Sequence, residues 1–237
     1  MKIRTGALAA VAALTFVLGS AAVLGSATPA VAASPAPVDL GAARAAVTAR
    51  IDGRLHTLDA LKVAVTGAAT LRGTHRGTLS NLISADVTGL TALRAKVAAD
   101  STAADLRADE RSMVQDYRVY LLVVPKVRYT IATDAELAAI DRLRTVHDTL
   151  AAAVAKDKAA GRDVSQQEAE LADLAAQLDA AGSALAGHLD ALLAQAPGPD
   201  AAAIAAVVAP ARTAVRTARL DLGKAVADAK RVRDQLR

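Results

Sequence analysis

Apolar residues in this chain return at alternating steps of three and four, and the positions between them are held largely by Ala and by charges of both signs. An α-helix turns once in about 3.6 residues, so such steps lay an apolar seam along one side and leave the other side polar. Val47, Ile51, Leu58, Leu61 and Val65 trace a first seam, and Leu79, Ile83, Leu90, Leu93 and Val97 a second. Ile140, Leu143, His147, Leu150 and Val154 trace another, followed by Leu171, Leu174, Leu178, Ala181, Leu185 and Leu192. The last runs through Ile204, Val208, Ala211, Val215, Leu222, Val226 and Leu236. Roughly a quarter of the residues are Ala, the best intrinsic helix former because it has no side-chain entropy to lose. The expected fold is all-α: an elongated antiparallel helical bundle of coiled-coil hairpins.

Punctuation between the seams places the helix ends. The two glycines of Leu71-Arg72-Gly73-Thr74-His75-Arg76-Gly77 read as the turn of a first hairpin. Thr102 with Asp105 opens a further helix that runs to about Tyr117. Lys156 and Lys158 suit the negative end of a helix dipole, Gly161 suits the left-handed closing position, and Ser165 with Glu168 reads as a capping box. A hairpin centred near residue 162 sets Val154 opposite Leu171, Leu150 opposite Leu174 and Ile140 opposite Leu185. It also sets His147 against Leu178 and His188 near Glu136. Ala196-Pro197-Gly198-Pro199 ends that helix, Asp200 caps the last one, and Pro210 should kink it.

Ahead of the seams stands a different kind of segment. Lys2 and Arg4 precede an apolar run from Ala7 to Ala27, and Ala30-Val31-Ala32 supplies the small residues of a signal-peptidase site, so residues 1–32 are expected to be a cleaved export signal. Residues 33–39 follow as a stiff, Pro-containing linker. Residues 40–124 then form an N-terminal hairpin with a crossover and 125–237 a C-terminal three-helix segment, the two packing as one domain. A secreted product is implied, with no membrane span left after cleavage. The chain has no Cys, so an exported fold of this kind rests on packing alone. Its formal charge of +4 includes Lys2 and Arg4, and the small remainder, with signs mixed along the helices, argues against a nucleic-acid partner. The heavy use of Ala, Arg, Val and Asp also points to a GC-rich, actinobacterial type of coding.

One stretch departs from the pattern. Asp116-Tyr117-Arg118-Val119-Tyr120-Leu121-Leu122-Val123-Val124-Pro125-Lys126-Val127-Arg128-Tyr129 holds all three Tyr of the chain and no Ala. Its β-branched centre reads as a short extended segment near 118–124, with Pro125 at the start of the next helix. Tyr117, Arg118, Tyr120, Lys126, Arg128 and Tyr129 are candidate contacts for an anionic or amphipathic ligand or a partner. The competing explanation is a crossover whose Tyr rings plug the core where Ala is too small. This segment, up to Lys126, resembles a motif of uncharacterised secreted, Ala-rich helical proteins of actinobacteria. The resemblance implies the same helical architecture and carries no activity or site.

Recognisable catalytic chemistry is missing. None of His56, His75, His147 and His188 has a His partner at helical ligand spacing, so no metal or other cofactor is expected. The carboxylates Asp109 and Glu110, Asp134 and Glu136, Glu168 and Glu170 read as solvated helix ends. No nucleophile elbow, phosphate loop or dinucleotide fingerprint occurs. The function expected is that of an exported, non-enzymatic protein acting by protein or cell-envelope contact, with a homodimer as one partner arrangement. The alternative is a carrier that holds a lipid-like molecule between its helices.

Overall fold

Among the described residues seven α-helices form. In the computed structural model, which describes residues 39–236, they are α1 (Leu40–Gly67), α2 (Gly73–Ala99), α3 (Ala103–Gln115), α4 (Val124–Ala159), α5 (Ser165–Leu185), α6 (His188–Ala194) and α7 (Ala201–Gln235). Among the described residues there is no strand. The expected export signal and most of the expected linker lie outside the described residues.

Two apolar clusters organise the bundle. Val47, Ile51, Leu58 and Val65 of α1 meet Leu79, Ile83, Leu90 and Val97 of α2, and Leu106 and Met113 of α3 close that cluster. Ile140, Leu150 and Val154 of α4 meet Leu171, Leu174, Leu178 and Ala181 of α5 and Val215, Ala218, Leu222, Ala225 and Val232 of α7. Ala at the α5–α7 contact lets the two helix axes come close, at the expense of apolar area buried per residue. The two clusters share α4, whose 36 residues extend about 54 Å at 1.5 Å per residue. Val127 at its start belongs to the first cluster, and Ile140 onward belongs to the second. The described residues form one compact unit.

Several ends form as local chemistry dictates. Thr102 Oγ1 accepts from the Asp105 amide at 3.1 Å, and Asp200 Oδ1 accepts from the Ala203 amide at 2.9 Å, each satisfying a donor that the helix start leaves free. Gly161 closes α4 with φ of 81°. Asp39 caps α1 through the amides of Gly41 and Ala42. Pro210 lies inside α7, which runs unbroken past it.

Other expectations are corrected. The first hairpin does not turn at its glycines: α2 starts at Gly73 and includes Gly77, and the reversal occupies residues 68–72. Arg76 makes this possible, because its guanidinium donates to the carbonyls of Val65, Thr66 and Ala68 and so supplies the C-terminal cap that a left-handed Gly would otherwise give. The Ser165–Glu168 capping box does not form. Asp163 Oδ1 accepts from the Ser165 amide at 3.0 Å, and Glu168 is held by Lys158 Nζ at 2.7 Å.

The fourth seam is also interrupted. Gly187 takes φ of 76° and ends α5 at Leu185, so Leu192 leaves that seam and joins Leu122, Ile204 and Ala211 in a small third cluster. The break carries His188 onto α6 and away from Glu136, which instead accepts from Arg219 Nε of α7 at 2.6 Å.

The segment near 118–124 is not extended. Residues 119–123 make one π-helical turn leading straight into α4. The amides of Leu122 and Val123 both donate to the Arg118 carbonyl, at 2.8 and 3.3 Å. Burial overrides β-propensity: Val119, Leu122 and Val123 recur at helical spacing, and all three are buried. Pro125 sits in the first turn of α4, where no amide hydrogen is required.

Candidate functional site

The six candidate residues fall on the crossover between the two clusters and diverge from one another. Arg118 is the one non-Gly residue with positive φ among the described residues, at 45°, and this left-handed step turns the chain from the end of α3 into the π turn. The same step aims its guanidinium at the connection between α6 and α7. Nε donates to the Gly198 carbonyl and Nη2 to the Pro199 carbonyl, both at 2.6 Å. Lys126 converges on the same connection, donating from Nζ to the carbonyls of Leu193 at 3.0 Å and Gln195 at 2.6 Å. The end of α6 leaves carbonyls without helical partners, and Pro197 and Pro199 supply no amide hydrogens to satisfy neighbours. Two cations from the crossover fill that need.

Lys126 is only 4% exposed. Burial draws its ammonium pKa down, and the nearby Asp86 carboxylate partly opposes that. Asp86 is itself buried on α2, with Oδ2 lacking a hydrogen-bond partner in the protein. Burial pushes its pKa up to about 6, against the pull of Lys126. The centre of the molecule thus holds a buried acid and a buried amine joined electrostatically, with the amine's protons directed to main-chain carbonyls.

The three Tyr point different ways. Tyr117 lies over Gly89 of α2, where an added Cβ would come within 2.5 Å of its Oη. Burial, then Asp116 and Asp86, raise the pKa of this phenol. Tyr120 is 54% exposed and stacks outward on α1, with the Arg54 guanidinium carbon 5.1 Å from its ring centroid. Tyr129 is half-buried and packs against the second and third clusters. Arg128 is exposed. The six residues therefore do not line one cavity. Tyr117 borders an open groove with Leu93, Lys96, Asp109 and Ser112, while Arg118 and Lys126 are bonded inside the fold.

A second buried polar centre was not anticipated. Asp134, 2% exposed, accepts from the Arg72 amide at 2.8 Å and from His75 Nδ1 at 2.9 Å. It fastens the α1–α2 reversal to α4. Asp109, 1% exposed, is paired with Lys96. These two carboxylates correct the reading of all such groups as solvated helix ends. A signal for one buried acid was present: Asp86 lies three residues after Ile83 and four before Leu90, on the seam itself. Asp134 carries no such mark, because the Thr residues around it are compatible with either face.

Among the described residues no group of three or more His, Asp or Glu side chains converges as a metal site would require, and no helix is long and apolar enough to cross a membrane. The chain matches no protein-family model, and comparison with curated proteins and with solved structures finds no match.

Proposed function

We propose that the chain is an exported, non-enzymatic helical protein that works by contact with another protein or with the cell envelope, alone or as a homodimer. One observation supports this most directly: Arg118 and Lys126, the cations of the one unusual segment, are bonded to carbonyls of the chain itself. A segment used in this way braces the bundle. What remains for function is the surface of long helices, which suits contact along their length better than chemistry at a point. The same reading groups the chain with the secreted Ala-rich helical proteins of actinobacteria that its crossover resembles.

The experiment is crosslinking on intact expressing cells, with fractionation into medium, wall and cytoplasm. The expected result is a product in the medium or wall that crosslinks to itself or to an envelope component. A product confined to the cytoplasm, or a strict monomer without any crosslinked species, would overturn the proposal.

A further inference from the structure

Charge is distributed unevenly around the C-terminal helices. α5 carries Glu168, Glu170, Asp173 and Asp179 and no Lys or Arg, whereas α7 carries seven Lys or Arg and three Asp. Two ion pairs fix the sides of α7. Arg231 bonds to Glu170 of α5 at 2.6 Å, so that flank borders α5. Arg219 bonds to Glu136 of α4 at 2.6 Å, so the opposite flank borders α4.

The cations on the α5 flank are answered: Lys224 by Asp221, and Arg231 by Asp228 and Glu170. Beyond Arg219, which Glu136 answers, and Arg233, which Asp234 answers, the remaining cations of α7 are not. Arg212 and Arg216 precede Arg219 by seven and three residues, and Lys230 follows it by eleven, steps that return to the same side of a helix. All three are exposed, and among the described residues none has a carboxylate within ion-pair distance. On α4, Arg144 turns to α5 and pairs with Asp179, while Arg128 and Arg142 lie two heptads apart on the solvent side of the helix. Both are exposed and, among the described residues, likewise unpaired. The two helices run parallel here, since Tyr129 packs against the cluster that contains Ile204 and Ala211 while Glu136 reaches Arg219. The unpaired cations thus form a stripe, and from Arg212 to Lys230 it extends about 27 Å at 1.5 Å per residue.

The geometry points to this α4–α7 face as the docking surface for a linear anionic envelope polymer, a glycopolymer joined through phosphodiesters, lying along the stripe. This rests on the reading of the protein as one that works by envelope contact, and it names the partner. Four of the five unpaired cations are Arg, whose planar fork meets a phosphate's two free oxygens and gives up hydration more readily than an ammonium. α7 contains no Phe, Trp or Tyr. It therefore offers neither the aromatic platforms on which single-stranded nucleic acid stacks nor the aromatic anchors of a helix lying in a lipid surface. Val146 and Val226, 41% and 38% exposed, add modest apolar contact for the polymer's carbon backbone.

The test is fluorescence anisotropy of a labelled poly(glycerol phosphate) chain, titrated with protein recovered from cells expressing the full sequence. Saturable binding is expected, weakened at least tenfold by Arg212→Gln with Arg216→Gln. The slope of log affinity against log salt should fall in magnitude by about two, because two counterion-releasing contacts are lost. Lys224→Gln and Arg144→Gln, on the α5 side, should leave binding within twofold. Circular dichroism and thermal melts of all variants confirm folding. No binding at low salt, equal loss from the α5-side variants, or tighter binding to polygalacturonate, anionic phospholipid vesicles or single-stranded DNA would overturn the inference. If that happens while crosslinking still finds an envelope component, only this inference fails and the contact function stands.

Discussion

The Tyr117 ring lies so close over Gly89 that a Cβ on α2 would stand 2.5 Å from its Oη and 2.6 Å from its Cε1. Gly89 is helical and carries no positive φ, so backbone geometry does not require glycine there. The ring requires it, and the contact joins the crossover to the middle of the first hairpin.

Gly89→Ala should accordingly destabilise the protein by about 1–2 kcal/mol, despite the roughly 0.5–1 kcal/mol that Ala ordinarily contributes over Gly in a helix. Gly77→Ala, in the same helix with open space around it, should stabilise by that ordinary amount. Combining Gly89→Ala with Tyr117→Ala should cost less than the sum of the single changes. Urea denaturation of the four variants measures this coupling, and additive costs would show that the close approach has no energetic weight.

Lys126→Met keeps the length of the side chain and removes its donors. The carbonyls of Leu193 and Gln195 then lose a buried partner, and the expected cost is roughly 2–3 kcal/mol. Amide exchange should accelerate in α6 and the connection that follows, more than in α1 and α2. Uniform acceleration would mean that the lysine serves the whole core instead of this connection.

Asp86 gives the fold a pH dependence of definite sign. Its folded pKa of about 6 lies above the ordinary 3.8, so the folded state holds this proton more firmly than the unfolded chain does. The contribution is fully present below pH 4 and is lost as pH rises through 6. Asp86→Asn, which stays neutral, should be more stable than the parent at pH 7 by on the order of 1 kcal/mol, once the solvent near the group is allowed for. The difference should shrink as pH falls from 6 to 4. Thermal melts across that range measure it, and a difference that grows on acidification would reverse the assignment.

Asp134→Ala leaves the Arg72 amide and His75 Nδ1 without their shared acceptor, and a loss of about 2–3 kcal/mol is expected. Exchange at the Arg72 amide should rise by a larger factor than at amides in the middle of α2. Stability equal to the parent's would show that water replaces the carboxylate at no cost.

The helices were legible because their determinants are local. Each seam, the caps at Thr102 and Asp200, the dipole cations at Lys156 and Lys158 and the left-handed Gly161 act within a turn or two of their own positions. Local reading failed where a distant group supplied the missing partner. The reversal at 68–72 is closed by the Arg76 side chain, whereas the break after Leu185 was local, at the left-handed Gly187. Of the candidate contact residues, Arg118 and Lys126 stood out by composition as cations beside Tyr. Their acceptors lie 67 to 81 residues further along the chain, and nothing near them in sequence indicates that bond.

The sequence by itself determined the all-α class, the number and approximate limits of the long helices, and which side of each turns inward, since periodicity, Ala content and capping are properties of short segments. Tertiary structure alone decided the fate of the polar groups. Asp134 and His75, 59 residues apart, become partners, Asp86 and Lys126 become buried, and Arg128, Arg212 and Arg216 stay exposed and unpaired among the described residues, because the surroundings of one helix face are supplied by whichever other helices fold against it.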